Sequence, residues 1–339
     1  MDFLQLRISW ILTHRILVRY DSSYRSSRSS FLPAIIKRGS KPGSVLHSRM
    51  STVKLNDGNQ IPWLGFGTGT ALYNKDATDN VRLALDNGVV HLDGAQVYGN
   101  EESIGAAIKA TGKPRSELFI TTKLKPGLGF APGQSVKETL QESLKKLGID
   151  YVDLFLVHSP SPANKEGRLQ DLWRQVEGMK RDGLAKSIGV SNFRVEDLNT
   201  ILSTAEIVPA VNQIELHPYV WKQAEPIYNL NKEKGIVTAS YSGLTPLTHA
   251  VGGPLDAVLP DIRARLEKAR GAPVSTGQVL TKWLLQKGVV VITTTSKAER
   301  IKEFQDAEKI PDLTQEEIDA IQREGAKLYK RVYMRDVFE

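Results

Sequence analysis

The chain contains no cysteine, so disulfides, thiolate nucleophiles and cysteine-ligated metals are excluded from its chemistry. Aromatic residues are only 7% of its 339 positions, and no run approaches the roughly 18 uninterrupted apolar residues of a membrane-spanning helix. The balance, 40% hydrophobic and 24% charged, is that of a globular chain long enough for one large or two medium domains. Acidic residues are scarce in one segment. Residues 1–49 hold seven Arg and two Lys against Asp2 and Asp21, which accounts for the entire net charge of +7 and leaves 36 basic and 36 acidic residues beyond. A body of zero net charge offers no phosphate-backbone surface, so neither nucleic acid nor membrane is an expected partner.

The leader is rich in Arg (Arg7, Arg15, Arg19, Arg25, Arg28) and Ser (Ser22, Ser23, Ser26, Ser27, Ser29, Ser30). That composition resembles a mitochondrial transit peptide; the other reading is upstream sequence ahead of a start at Met50. Either way residues 1–49 are expected to be disordered and residues 50–339 to form the working domain. The expected compartment is the cytoplasm, or the mitochondrion if the leader acts as an address.

From residue 52 onward, short β-branched runs alternate with longer amphipathic ones. Residues 53–55 and 60–62 flank Asn56-Asp57-Gly58-Asn59, a hairpin signal. Strands are then expected at 63–67, 89–92, 119–122, 152–157, 185–190, 211–214, 236–240 and 289–292. Helices are expected between and after them at 77–87, 101–110, 134–147, 169–181, 195–204, 222–234, 274–286 and 297–304, several stopped by glycines such as Gly148. Strands this uniformly apolar are buried on both faces, as in a parallel sheet with helical crossovers. Eight even strand–helix units, with no composition break, favour a closed (α/β)8 TIM barrel over a doubly wound sheet. Gly65-Phe66-Gly67-Thr68-Gly69-Thr70 lacks the third glycine and the following helix of a dinucleotide fingerprint. The hairpin, a C-terminal helix over 314–328 and the tail 329–339 are additions to the barrel; loops over 127–133 and 245–260 are expected, with that tail, to shape the substrate site.

Chemistry on such a barrel gathers at the carboxyl ends of its strands. Asp93 and Tyr98 follow the second barrel strand, Lys123 ends the third and His158 the fourth. A carboxylate, phenol, ammonium and imidazole are the groups needed to give a proton to a carbonyl that accepts hydride. Singly, each has a plainer reading. Lys123–Asp93 could be a structural ion pair. His91 and His217 read as packing or hydrogen-bonding residues. His91-Leu92-Asp93 has no companion ligand cluster, so no metal is expected. Lys123 could also be a Schiff-base lysine of a barrel aldolase.

The ordered set is more specific. His91-Leu92-Asp93-Gly94-Ala95-Gln96-Val97-Tyr98-Gly99-Asn100-Glu101, Lys123, Val157-His158-Ser159-Pro160, Ile188-Gly189-Val190-Ser191-Asn192-Phe193, Val211-Asn212-Gln213-Ile214-Glu215-Leu216-His217-Pro218 and Ala239-Ser240-Tyr241-Ser242-Gly243-Leu244 together resemble the aldo-keto reductase family over about residues 52–330. The resemblance implies reduction of aldehydes or ketones by NADP(H), bound across the barrel mouth. It implies Tyr98 as general acid, Lys123 as the ammonium that lowers the phenol's pKa, Asp93 holding Lys123 charged, and His158 orienting and polarising the carbonyl. It further implies Tyr241 stacked on the nicotinamide, Ser191, Asn192 and Gln213 on the carboxamide, and Ser242 and Leu244 near the pyrophosphate. Thr68 joins the cofactor site, and Thr295, Ser296, Lys297 and Arg300 lie near an adenosine 2′-phosphate.

The chain departs from the family pattern at several of these places. Thr293-Thr294-Thr295 stands for a frequent Pro-Lys-Ser, Phe304 for an asparagine, Lys125 for a tryptophan and Ser159 for another. The implied pocket is less aromatic and roomier. The His-Ser-Pro form is similar to that of fungal conjugated polyketone reductases, which tilts the expected substrate toward diketones, ketolactones and other activated carbonyls. The expected acting unit is a monomer. A non-catalytic, cofactor-sensing scaffold on the same barrel is the remaining alternative.

Overall fold

Two stretches, residues 51–127 and 135–339, are described by the computed structural model; the leader 1–49 and most of the expected loop 127–133 lie outside them. The hairpin signal forms antiparallel β1 (Thr52–Lys54) and β2 (Gln60–Pro62). Eight strands follow: β3 (Leu64–Gly67), β4 (His91–Asp93), β5 (Phe119–Leu124), β6 (Val152–Val157), β7 (Ala185–Ser191), β8 (Val211–Glu215), β9 (Val237–Tyr241) and β10 (Val290–Thr293). All pair in parallel with their neighbours, and β10 returns to β3 to close the barrel.

The helices are α1 (Thr78–Asp86), α2 (Glu101–Thr111), α3 (Val136–Leu147), α4 (Leu169–Arg181), α5 (Val195–Leu202), α6 (Trp221–Glu233), α7 (Thr245–Thr248), α8 (Leu259–Arg270), α9 (Thr276–Gln286), α10 (Ala298–Asp306), α11 (Gln315–Gly325) and α12 (Arg335–Phe338). Local chemistry sets their ends. Ser135 caps α3 by accepting from Glu138 N, while Glu138 bonds back to Ser135 N; this reciprocal pair fixes the start at Val136. Gly148 then ends the helix at φ 66°, a left-handed conformation that costs glycine little. None of the described helices is long and apolar enough to cross a membrane.

Two buried layers hold the barrel together. The larger lies between strands and helices, with Phe66, Phe155, Trp173 and Trp283 among its members. The smaller fills the inside of the barrel: Phe119, Leu154, Leu156, Val211, Ala239, Val290 and Ile292, joined by Leu55 and Ile61 of the hairpin. Asn56 Nδ2 donates to Pro209 O and Asn59 Nδ2 to Lys186 O, so the hairpin sits at the amino-terminal ends of the strands. That end is closed, and chemistry is confined to the other.

The main departure from the sequence reading lies after β9. The region 245–260 was expected as loop, with the next helix only at 274; instead α7, a 3-10 turn (Pro254–Ala257) and α8 occupy it. The helix α8 is highly charged and begins Leu-Pro, so its apolar signal is reduced to Leu259, Ile262 and Leu266, all buried. Three residues at helical spacing are enough once neighbouring helices cover them.

Candidate active site

Parallel register brings the four sequence-selected groups to one rim. His91–Asp93 of β4 lies opposite Phe119–Thr121 of β5, and Thr121–Leu124 opposite Leu154–Val157 of β6. Lys123 is fully buried, with its Nζ donating to Asp93 Oδ1 at 2.5 Å and to Gly94 O at 2.9 Å. The second carboxylate oxygen of Asp93 accepts from Gln213 Nε2 at 2.8 Å. Such a charge survives burial only when paired and hydrogen-bonded, which Asp93 and Gly94 O provide for Lys123.

Tyr98 ends the 3-10 turn Gln96–Tyr98. Its carbonyl accepts from Asn74 N at 2.8 Å. The ring centroid is 5.1 Å from Lys123 Nζ and 5.5 Å from the His158 ring, which meets it edge-on at 82°. A Cβ at Gly69 would fall 2.9 Å from Tyr98 Cζ, so any larger residue there would push the phenol out of place.

Burial governs the protonation states. It raises the Tyr98 phenol above its ordinary range, and the nearby Lys123 charge only partly offsets this. The sequence reading expected Lys123 to lower that value; its effect has the expected sign, but desolvation is larger. The phenol is therefore a proton carrier at neutral pH. Burial also works against the Lys123 ammonium, yet Asp93 and Tyr98 more than reverse it and raise its pKa. His158 is pushed down to about 3 by burial and by the Lys123 charge. Its Nδ1 is buried with no partner among the described residues. A neutral imidazole beside a protonated phenol can direct a carbonyl oxygen by hydrogen bonding rather than by full charge.

His91 is buried and hydrogen-bonded inside the barrel. Pro62 O, 3.3 Å from Nδ1, can only accept, so Nδ1 carries the proton and Nε2 accepts from Thr121 Oγ1 at 3.1 Å. His217 bonds to Glu215 at 3.0 Å.

The residues implied for the cofactor fall into three groups. Ser191, Asn192, Gln213 and Tyr241 form a network: Ser191 Oγ donates to Gln213 O at 2.8 Å, Asn192 Nδ2 to His158 O at 2.9 Å, and Tyr241 Oη to Asn192 Oδ1 at 2.7 Å. Asn192 and Ser242 hold φ values of 63° and 58°, uncommon for residues with a Cβ and concentrated at functional sites. Ser242 and Leu244 continue this rim, half-exposed. The third group is at the start of α10, where Thr295 Oγ1 accepts from Lys297 N and where Ser296, Lys297 and Arg300 are exposed. An exposed helix N-terminus with an ammonium and a guanidinium suits a phosphate, although Arg300 also pairs with Glu303 at 2.9 Å. These features fit a nicotinamide dinucleotide: an aromatic ring and amide groups at the proton-donating centre, a polar rim, and cations at its far edge.

Two positions stand apart from that set. Thr68 is fully buried, and its hydroxyl bonds to Asp93 O at 3.2 Å. Phe304, at the position of the family asparagine, packs into the core. Lys125 and Ser159 border a narrow crevice whose lining is mostly apolar, with Leu124, Val157, Pro162 and Leu172 among its members. The sequence reading assigned no role to Glu215 or Tyr333, which meet at the rim beside Tyr241.

Comparisons with known proteins converge on the same assignment. The sequence profile of the Aldo/keto reductase family matches residues 63–324. The chain is 40% identical over 290 residues to an NAD/NADP-dependent indole-3-acetaldehyde reductase of Schizosaccharomyces pombe, covering 83% of this chain and 98% of that protein. It is 37% identical over 284 residues to an NADPH-dependent alpha-keto amide reductase of Saccharomyces cerevisiae, covering 80% and 89%. A crystal structure of a Bombyx mori aldo-keto reductase in complex with NADP superposes with a TM-score of 0.73 at 33% identity, covering 85% of this chain and 96% of that one. With its closed eight-stranded barrel and its converged Asp93–Lys123–Tyr98–His158 group, the chain belongs to the aldo/keto reductase family, as an oxidoreductase of aldehyde and ketone carbonyls.

Proposed function

We propose that this enzyme reduces activated carbonyls, such as diketones, ketolactones and alpha-keto amides, to alcohols with NADPH, acting as a cytoplasmic monomer. The observation that carries the reading is the placement of the Tyr98 ring between the Lys123 ammonium and the His158 ring at the open end of the barrel. The bound cofactor supplies the hydride. Every other task falls to the chain.

His158 orients the substrate oxygen toward Tyr98, and Tyr98 gives up its phenolic proton as negative charge grows on that oxygen. Lys123 steadies the phenolate that is left, which is why a lysine held charged by Asp93 belongs beside it. Tyr241 offers a ring face to the nicotinamide, and Ser191, Asn192 and Gln213 hold its carboxamide. Ser242 and Leu244 line the pyrophosphate path, and Thr68 joins the cofactor site after β3, where its hydroxyl bonds to Asp93 O. Thr295, Ser296, Lys297 and Arg300 hold the adenosine 2′-phosphate. The raised pKa of Lys123 opposes the aldolase alternative, because a Schiff-base lysine must be a neutral amine.

Activated carbonyls are favoured because Ser159, directly after His158, and Lys125, directly after β5, stand where the family often carries tryptophan, leaving polar side chains in place of aromatic rings at those strand ends. The similarity to an alpha-keto amide reductase points the same way. A steady-state screen of simple aldehydes, 1,2-diketones, ketolactones and alpha-keto amides with both nicotinamides tests this. NADPH consumption should be fastest with the dicarbonyl compounds; a preference for simple aldehydes would refute the substrate class, and no turnover with any of them would refute catalysis.

A further inference from the structure

Glu215 is the last residue of β8 and stands opposite Tyr241, the last residue of β9. Its wholly buried carboxylate accepts from Val332 N at 2.9 Å, Tyr333 N at 2.8 Å and His217 Nε2 at 3.0 Å. The Arg331 guanidinium, 1% exposed, lies 3.9 Å from the same carboxylate and 3.9 Å from the ring centroid of Phe338. The C-terminal tail is thus tied to the barrel rim through main-chain N–H groups, with one buried negative charge balancing one buried positive charge. Moving Val332 or Tyr333 would uncover that charge, so the local backbone has little freedom.

This attachment sets the place of one ring. Tyr333 meets Tyr241 edge-on, with centroids 6.1 Å apart and planes at 68°. On its other side, Tyr241 is fixed by its hydroxyl bond to Asn192 Oδ1. A ring that is to stack on a cofactor must hold one orientation before the cofactor arrives, because ordering it during binding weakens affinity.

We propose that Glu215 is a positioning residue: it holds Tyr333 as a buttress against Tyr241 and so sets the affinity for the nicotinamide cofactor. This rests on the reading of Tyr241 as the platform for the nicotinamide. Tyr333 is the contact, and Glu215 acts through it.

The experiment is a fluorescence titration of NADPH into the full chain and its Tyr333→Ala, Tyr333→Phe, Glu215→Gln and Glu215→Gln/Tyr333→Ala variants, with melting temperature and carbonyl KM recorded in parallel. Tyr333→Ala and Glu215→Gln should each weaken NADPH binding by about three- to tenfold, the range expected for loss of one aromatic pair. Tyr333→Phe, which keeps the ring, should stay within about twofold of wild type. The double variant should bind no more weakly than the weaker single one, since both act through one contact. Additive losses would separate the two residues and overturn the proposal. So would unchanged NADPH affinity accompanied only by a lower melting temperature, the mark of a purely structural clamp, or only by a higher carbonyl KM. Should Glu215→Gln fail to fold, the two Tyr333 variants decide alone. Wild-type protein that neither binds nor oxidises NADPH would remove the cofactor reading and this inference together; wild-type turnover with unaffected variants removes the inference only.

Discussion

Asp93→Asn probes the centre of the site with one atom exchanged. At the observed 2.5 Å separation from Lys123, Coulomb attraction amounts to about 7 kcal/mol at an effective dielectric of about 20. Much of that offsets desolvation of the two ions, and breaking such a pair by removing one partner leaves a net cost of about 3–5 kcal/mol. The asparagine has a single side-chain acceptor, so it cannot serve both Lys123 and Gln213 as the carboxylate does. Melting temperature should fall by about 6 °C or more. The pH dependence carries the sharper test. In the wild type the Lys123 pKa is raised, so the stability it contributes is complete below the unfolded-state value and is lost only as pH rises through the still higher folded value. Without Asp93 the largest influence opposing burial is lost and the folded value falls. The variant then loses less stability than the wild type as pH rises, so its deficit should be greatest at neutral pH and shrink above about pH 10. Thermal melts from about pH 6 to about pH 11 measure this directly. A deficit constant across that range, or a variant that melts with the wild type, would mean that Lys123 is not held charged by Asp93.

Tyr98→Phe should bind NADPH nearly as the wild type does yet reduce carbonyls at least ~10²-fold more slowly, the usual size of a general-acid effect; near-wild-type turnover would show that another group delivers the proton. Arg300→Ala should weaken NADPH more than NADH in parallel binding titrations, whereas equal loss for both would remove the case for a 2′-phosphate contact. His91, pushed down to about 4 by burial, favours the fold fully above about pH 6.5 and loses that contribution as pH falls through its folded value. His91→Gln should therefore melt below the wild type at neutral pH by a margin that narrows on acidification, and a margin that widens would contradict a buried neutral imidazole.

The barrel was legible because its information is local. Continuous apolar strands, glycines after helices and an even repeat need no knowledge of distant contacts, and the motif residues inherit their placement from strand ends. Helix α8 was not legible, since charge and proline mask its three core residues and its stability comes from what covers it. The pairing of Lys123 with Asp93 was implied by the family resemblance and is consistent with their opposite charges. The direction of the Tyr98 shift did not, because burial is a property of the finished fold. Glu215 was visible in its motif but had no visible partner: the N–H groups it binds lie 117 and 118 residues further along the chain, with no periodicity to connect them. Likewise the sequence marks Thr68 as part of a glycine-rich turn, while its hydroxyl is already used inside, on Asp93 O of the next strand.

The hairpin of β1 and β2 makes the barrel a cup rather than a pipe. Leu55 and Ile61 form its floor, and reactants and product must share the rim. Floor and rim are built from different residues, so the two can be altered separately. Repacking beneath Leu55 changes how well the vessel holds together, while an exchange at the rim leaves that packing untouched, and an engineer seeking a new substrate has reason to leave the base alone.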